Sequence, residues 1–183
     1  MPLTLLITLA LLILSPGSPI FFHKRIGQAG RPFDLVKFRT MRSKNQSTLN
    51  LTIAGDSRVT YIGRFLRRFK LDEIPQLLNI LSGSMTFVGP RPETPEFVAL
   101  YTPAQREILN YNPGLTDPAS LKYRHEEKIL ASCQNPIDEY VKRLLPDKIN
   151  ISLQYQESRT TLTDIRIVFS TVASIFRRHG ENS

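Results

Sequence analysis

The stretch RFLRRFKLDEIPQLLNIL, residues 64–81, sets the most basic part of the chain directly against an adjacent acid pair, Asp72 and Glu73. Working backward, DSRVTYIGRFLRRFK (56–70) reads as a helix. Asp56 or Ser57 caps it, and Val59, Ile62, Leu66 and Phe69 recur at helical spacing on one face. Arg64, Arg67, Arg68 and Lys70 fill the remainder. Most charge runs are solvated faces, but this one leads straight into two carboxylates. Working forward, EIPQLLNILSGSM (73–85) reads as a short helix ended at Gly83. Asp72 is placed to cap it, with Pro75 tolerated in the first turn. Carboxylates there are held ionised by the helix dipole and by neighbouring arginines.

The 183 residues suit one domain with a real core, and 41% hydrophobic with 22% charged content is that of a globular chain. A single cysteine, Cys133, excludes an intrachain disulfide and reads as a buried thiol. The net charge of +8 asks for an anionic partner. Residues 1–70 hold 12 Lys and Arg against 2 Asp and Glu, a net of +10, whereas residues 71–183 hold 12 against 14, a net of −2. The acid pair sits where the two halves meet. Nucleic acid, an anionic membrane surface and a phosphorylated substrate all fit that charge.

PLTLLITLALLIL, Pro2 to Leu14, carries no charge and is broken at once by SPGSP (15–19). It falls short of the ~20 apolar residues that a spanning helix needs, and no basic residue precedes it as in a signal peptide. A buried core helix and an apolar helix embedded in one leaflet are the two readings. The second is favoured, because His23, Lys24, Arg25, Arg31, Lys37, Arg39, Arg42 and Lys44 follow closely and suit anionic headgroups.

IFFHKRIG and PFDLVKFRTM then read as two extended runs around the turn GQAGRP, with Lys37 and Arg39 two apart on one face. Residues 43–57 read as a polar loop. TFVGPRPETPEF gives a strand and an arginine, Arg91, fixed between Pro90 and Pro92. NPGLT (112–116) reads as a turn, and residues 97–109 and 135–145 as helices. TTLTDIRIVFSTVASIFRRHG is a final amphipathic helix, with Leu162, Ile165, Val168, Val172, Ile175 and Phe176 on its apolar side and Arg177 and Arg178 at its end.

Capping does not exclude chemistry at the acid pair. An ionised aspartate is a competent nucleophile towards phosphorus. Against a diphosphate it needs the charge neutralised, which a magnesium ion and arginines provide. Arg91 offers a planar fork of donors that suits phosphate oxygens. The histidines His23, His125 and His179 show no metal spacing, and aromatics are not interleaved with the basic residues as a single-strand nucleic-acid platform requires.

KFRTM, LRRFKLDEIPQLLNIL, GSMTFVGPRP and PGLT together, in this order and spacing, resemble the bacterial sugar transferases, the monotopic phosphoglycosyl transferases that act on polyprenol phosphate. The likeness runs from about Ser15 to the end. It implies an α/β, helix-rich fold with a small sheet: an apolar re-entrant membrane helix over 1–14, and a catalytic domain over 15–183 on the cytoplasmic face of the bacterial inner membrane. It implies that Asp72 attacks the β-phosphorus of a UDP-sugar and expels UMP. Undecaprenyl phosphate then takes the sugar phosphate from the aspartate, the first membrane step of polysaccharide or glycoconjugate synthesis. Glu73 assists, by holding Mg²⁺ with Asp72 or by activating the acceptor. Arg91 binds phosphate, and Lys37, Arg39, Arg64, Arg67 and Arg68 are further anion contacts. Partners are the two phosphorylated substrates and an anionic membrane surface, without nucleic acid; a homo-oligomer is left open.

Two departures from the family pattern stand out. Its re-entrant helix kinks at a Ser-Pro, and Met1-Pro2 stands at that kink, so the likeness starts without the first limb; a truncated, inactive or regulatory relative is the rival reading. After PGLT, DPASLKYRHEE replaces the common Gly and Trp-Gln-Val run, which leaves the sugar unreadable.

Overall fold

The computed structural model describes residues 2–14, 17–42 and 51–177. Lys44, Arg178, His179 and the start of the SPGSP turn therefore lie outside the described residues. The amino-terminal apolar run is helical, α1, Pro2–Leu14. Its thirteen residues reach about 20 Å, against a hydrocarbon core of about 30 Å. Among the described residues no helix is long and apolar enough to cross a membrane. Among its described side chains only Ile7 and Leu11, one turn apart, are buried. Leu3, Leu5, Leu6, Leu9, Leu12, Ile13 and Leu14 face outward. A core helix would be covered on more than this one stripe.

The two expected extended runs form strands β1 (Ile20–Ile26) and β2 (Pro32–Phe38), which pair as an antiparallel hairpin, in register from Ile20 opposite Phe38 to Ile26 opposite Pro32. β2 stops short of the expected RTM. Met41 leaves the strand and bridges Val59 instead. That bridge also corrects the predicted start of the basic helix. Val59 and Thr60 are extended, so α2 runs only Tyr61–Arg68, capped by Thr60, whose Oγ1 accepts from the Gly63 N–H at 3.0 Å. Asp56 is used two residues away on Arg58, at 2.6 Å. Gly63 is required by close approach, because a Cβ there would stand 2.1 Å from the Thr40 carbonyl oxygen.

The chain turns at Lys70, which takes the left-handed conformation (φ 57°). A 3₁₀ turn over Leu71–Gln76 carries the acid pair, and α3 (Leu77–Leu81) follows. β3 (Thr86–Val88) pairs in parallel with β4 (Gly114–Thr116), so the NPGLT segment ends in a strand where a turn was expected. Gly114 packs on Gly89 so closely that a Cβ would sit 2.1 Å from the Gly89 nitrogen.

The helix expected over 97–109 is divided into α4 (Pro95–Val98) and a 3₁₀ turn, Gln105–Asn110, because Pro103 between them cannot continue a helix. Next come α5 (Pro118–Lys122), α6 (Glu126–Ala131) and α7 (Pro136–Glu139). The helix predicted to end at 145 runs on through a π turn, Tyr140–Leu144, into α8 (Leu145–Glu157). Pro146 has no N–H to give, and the wider turn before it absorbs the missing bond. The last helix, α9 (Thr161–Arg177), forms as expected and packs on β3, β4 and α5, yet Leu162, Ile165, Phe169, Val172 and Phe176 remain exposed.

Among the described residues two apolar clusters hold this helix-rich α/β fold, with its two small sheets, together. The larger centres on Phe97, Leu130, Tyr140, Leu144 and Leu145, and Leu51 and Ile53 from the expected loop pack against it. The smaller joins Ile7 and Leu11 of α1 to Phe38 and Leu66, with Leu71 and Ile74 alongside. The apolar amino-terminal helix is thus the floor beneath the turn that carries the acid pair.

Candidate active site

The turn that presents Asp72 and Glu73 is fixed from both ends. At its start the left-handed Lys70 redirects the chain, and the Glu73 N–H closes back onto the Lys70 carbonyl at 3.2 Å. Beyond it, Asn79 of α3 stitches the turn to the hairpin. Its amide donates to the Asp34 carbonyl at 2.9 Å, and its Oδ1 accepts the Val36 N–H at 3.0 Å. These are the groups on the β2 edge away from β1. The side chain of one buried asparagine thus completes that edge and sets the distance from β2 to the acid pair.

Asp72 is not the cap it was expected to be. It lies inside the 3₁₀ turn, buried, and its Oδ1 has no hydrogen-bond partner among the described residues. The flanking residue Leu71 turns into the apolar cluster below. Burial, then the charge of Glu73, raises the Asp72 carboxyl above its usual range, against the pull of Lys37, Lys70 and Arg67. The expectation that the arginines simply hold it ionised is corrected by the desolvation.

Glu73 behaves in the opposite way. Burial raises it, but Arg91, Lys70 and Lys37 outweigh that and hold it well below the usual range. Arg91 Nη2 donates to its Oε1 at 2.8 Å, Lys37 Nζ lies 3.7 Å away and Lys70 Nζ 3.8 Å. Lys37 arrives from β2, Lys70 from the end of α2 and Arg91 from the proline-framed segment after β3. Burial pushes the Lys37 ammonium down to about 8 despite Glu73. Adjacent carboxylates whose surroundings drive them apart are suited to different tasks. Glu73 is an ionised anchor for cations, and Asp72 keeps an uncommitted oxygen.

All of the predicted site residues line one open cleft of about 1920 Å³. Asp72, Glu73, Lys37 and Arg91 form its charged centre. Arg39 is half-buried on the wall. Arg64 and Arg68 are exposed on the rim, where they lie over the rings of Tyr61 and Phe69 at 5.7 and 5.8 Å. Neither forms an ion pair among the described residues. Arg67 is committed to other partners: it pairs with Glu127 of α6 and donates to Met41 Sδ at 3.4 Å. Lys70 and Asn79 were not singled out from sequence as site residues. Lys70 stood within the basic run, and Asn79 was a lone amide within the apolar run LLNIL; those were the only signals.

The donor set also bears on magnesium. Among the described residues no cluster of three or more His, Cys, Asp and Glu gathers to hold a metal. Mg²⁺, however, is commonly held by one or two carboxylates, the rest of its shell being water and substrate phosphate. The orphaned Asp72 Oδ1 fits that mode, while Glu73 is already surrounded by three cations.

Fold and cleft define a protein that presents a carboxylate pair within a ring of cations, a setting for phosphorylated substrates. The sequence profile of the bacterial sugar transferase family matches residues 1–178, and the chain belongs to that family. It is 42% identical over 122 residues to the uncharacterized sugar transferase EpsL of Bacillus subtilis, which covers 66% of this chain and 60% of that protein. It is 33% identical to a UDP-glucose:undecaprenyl-phosphate glucose-1-phosphate transferase of Caulobacter vibrioides, over 95% of this chain and 62% of the relative. It is 31% identical to a UDP-N-acetylgalactosamine-undecaprenyl-phosphate N-acetylgalactosaminephosphotransferase of Aeromonas hydrophila, over 98% of this chain and 40% of the relative. The chain thus spans less than two thirds of the length of each of these relatives.

Proposed function

We propose that this chain moves a sugar-1-phosphate from a UDP-sugar to undecaprenyl phosphate, with Asp72 as the covalent nucleophile. The observation that carries the reading is the division within the acid pair: Glu73 is held by three cations, while Asp72, which lines the cleft, keeps a buried oxygen that has no partner among the described residues. The transferase relatives named above support the reaction class.

A UDP-sugar enters with its diphosphate among Arg91, Lys37 and the cations of the cleft wall. An Asp72 carboxylate oxygen attacks the β-phosphorus in line with the bridging oxygen to the α-phosphate. The bond to that bridging oxygen breaks, and UMP leaves with the electron pair. The sugar phosphate stays on Asp72 as an acyl phosphate. A phosphate oxygen of the polyprenol then attacks the same phosphorus and returns Asp72 as a carboxylate, giving polyprenol diphosphate sugar. Glu73 keeps Arg91, Lys37 and Lys70 converged on the phosphates throughout. Asp72 is the residue that would hold Mg²⁺, and the ion would supply the charge neutralisation that a carboxylate needs before it meets a diphosphate.

The acceptor is a lipid, and the fold suits a membrane surface. α1 buries one stripe and exposes seven large apolar side chains; Phe21 and Phe22 of the hairpin and the outer face of α9 are also exposed. Embedding α1 in one leaflet, with residues 15–183 as the catalytic domain on the cytoplasmic side, buries its exposed apolar side chains in lipid. Detergent-solubilised protein with undecaprenyl phosphate, Mg²⁺ and a panel of UDP-sugars tests the reading. Formation of a polyprenol diphosphate sugar with one donor supports it and names the sugar. UMP that appears without any lipid-linked sugar contradicts it.

A further inference from the structure

Arg91 meets Glu73 from a short segment, Pro90–Glu93, that is tied down at each end. The Gly114 N–H donates to the Pro90 carbonyl at 2.9 Å, and the Ile26 N–H to the Glu93 carbonyl at 2.9 Å. Between them the Arg25 guanidinium donates to the Pro92 carbonyl at 3.1 Å. Prolines on both sides of Arg91 leave the backbone little freedom of its own.

The carboxylate of Glu93 completes the clamp on the side of the protein interior. The Tyr140 hydroxyl donates to its Oε1 at 2.5 Å, Arg25 Nη1 lies 3.5 Å from Oε2, and Lys148 Nζ lies 3.6 Å from Oε1. Lys148 also pairs with Glu126 at 2.8 Å. One carboxylate, two residues from Arg91, therefore gathers β1, the π turn and α8 behind the arginine, and α6 through Lys148. Glu93 is buried and does not line the cleft. Stability is a weak reason for such a cluster, since well-packed apolar residues in place of a buried ion pair are often neutral or stabilising. A bonded polar network does fix geometry, and this one binds Glu93 from three elements, although Arg25 Nε has no partner among the described residues.

We propose that Glu93 is a positioning residue for the transfer, holding Arg91 at the angle from which it meets the substrate phosphates and acting only through that arginine. This rests on the function proposed above. Arg91 is worth most where charge grows as UMP departs, so its misplacement lowers kcat more than it raises KM.

The test is steady-state UMP release by the full chain in detergent, using the UDP-sugar that wild type accepts. Glu93→Gln and Tyr140→Phe are each assayed alone and combined with Arg91→Met. Glu93→Gln is expected to lower kcat roughly 10- to 100-fold with KM changed less than about threefold. In the Arg91→Met background the same change is expected to cost less than about twofold. Tyr140→Phe keeps every charge and removes the hydroxyl's bond to the same carboxylate, together with the one it accepts from Lys148 Nζ. It is expected to show the same pattern at roughly 3- to 10-fold, and stands in should Glu93→Gln not fold. Equal losses with and without Arg91, or a raised KM with unchanged kcat, would overturn the role of Glu93 alone. No UMP from wild type with any donor would overturn the functional reading and this role with it.

Discussion

Arg91 Nη2 stands 2.8 Å from Glu73 Oε1, while the neighbouring Asp72 keeps its buried Oδ1 without a partner among the described residues. Two neighbours of like chemistry are thereby given unlike environments. The glutamate is satisfied and the aspartate is left available, which is the arrangement a nucleophile beside a fixed electrostatic anchor requires. Replacing Arg91 with methionine leaves Glu73 with Lys37 and Lys70 at longer range. The expected cost is about 1–2 kcal/mol of stability, read by urea unfolding, with UMP release slowed by a larger factor.

Asp72→Asn separates stability from function. The folded state disfavours the ionised form of Asp72, chiefly through burial and then through Glu73. A neutral isostere is expected to raise the melting temperature by a few degrees, about 1 kcal/mol, while abolishing turnover. A variant that melts well below wild type would place Asp72 in a supporting role instead.

The pH profile follows from the same environments. Asp72 must be ionised to attack, and its carboxyl is raised, so kcat/KM is expected to climb with pH along a limb above the ordinary 3.8. Glu73, held well below its ordinary 4.5, stays ionised along that limb. Lys37 loses its proton near 8, so the rate falls again above that pH. Lys37→Arg keeps the charge and is expected to shift the upper limb upward while the acid limb stays in place. Lys37 also has a stability signature. Between about 8 and its ordinary 10.5 the unfolded chain binds this proton and the folded chain does not, so its contribution to stability rises with pH across that window.

Asn79→Leu tests whether the β2 edge positions the site. It leaves the Val36 N–H and the Asp34 carbonyl without their side-chain partner. The expected loss is about 2–3 kcal/mol, measured by urea unfolding. Turnover should fall with it at temperatures where the variant is still folded, since Lys37 sits on the strand that Asn79 fixes.

α1 has two faces with separable effects. Leu11→Ala opens a cavity beneath the acid-pair turn and is expected to cost roughly 2–5 kcal/mol. Leu6→Ser and Ile13→Ser lie on the exposed face, at 66% and 80% exposure. They are expected to leave the melting temperature in detergent unchanged and to weaken co-sedimentation with anionic vesicles. Vesicle binding indifferent to both would argue against α1 as the membrane element.

What could be read from sequence was what neighbouring residues carry by themselves. The hairpin showed in its two apolar runs around GQAGRP, the last helix in its period, and the acid pair and Arg91 in their local chemistry. What could not be read lies between residues far apart in the chain. Nothing near Asn79 announces that it completes β2 some 45 residues earlier. Three-residue strands such as Gly114–Thr116 are too short for a period to appear, and their parallel pairing comes only with the fold. Asp56 looked like a cap because the β-bridge from Val59 to Met41, which delays the helix to Tyr61, is a tertiary contact. Asp72 looked like a cap for a similar reason: its burial depends on the packing of α1, α2 and β2.

The central claim, that Asp72 is the nucleophile, is tested most directly by omitting the acceptor. Wild type and Asp72→Asn are incubated with Mg²⁺ and the accepted UDP-sugar, and UMP is counted per protein alongside the intact protein mass. The account predicts a burst approaching one UMP per wild-type chain, a mass increase of one sugar phosphate mapping to Asp72, and neither in Asp72→Asn. Adduct at another residue, or UMP release by both proteins alike, would contradict it.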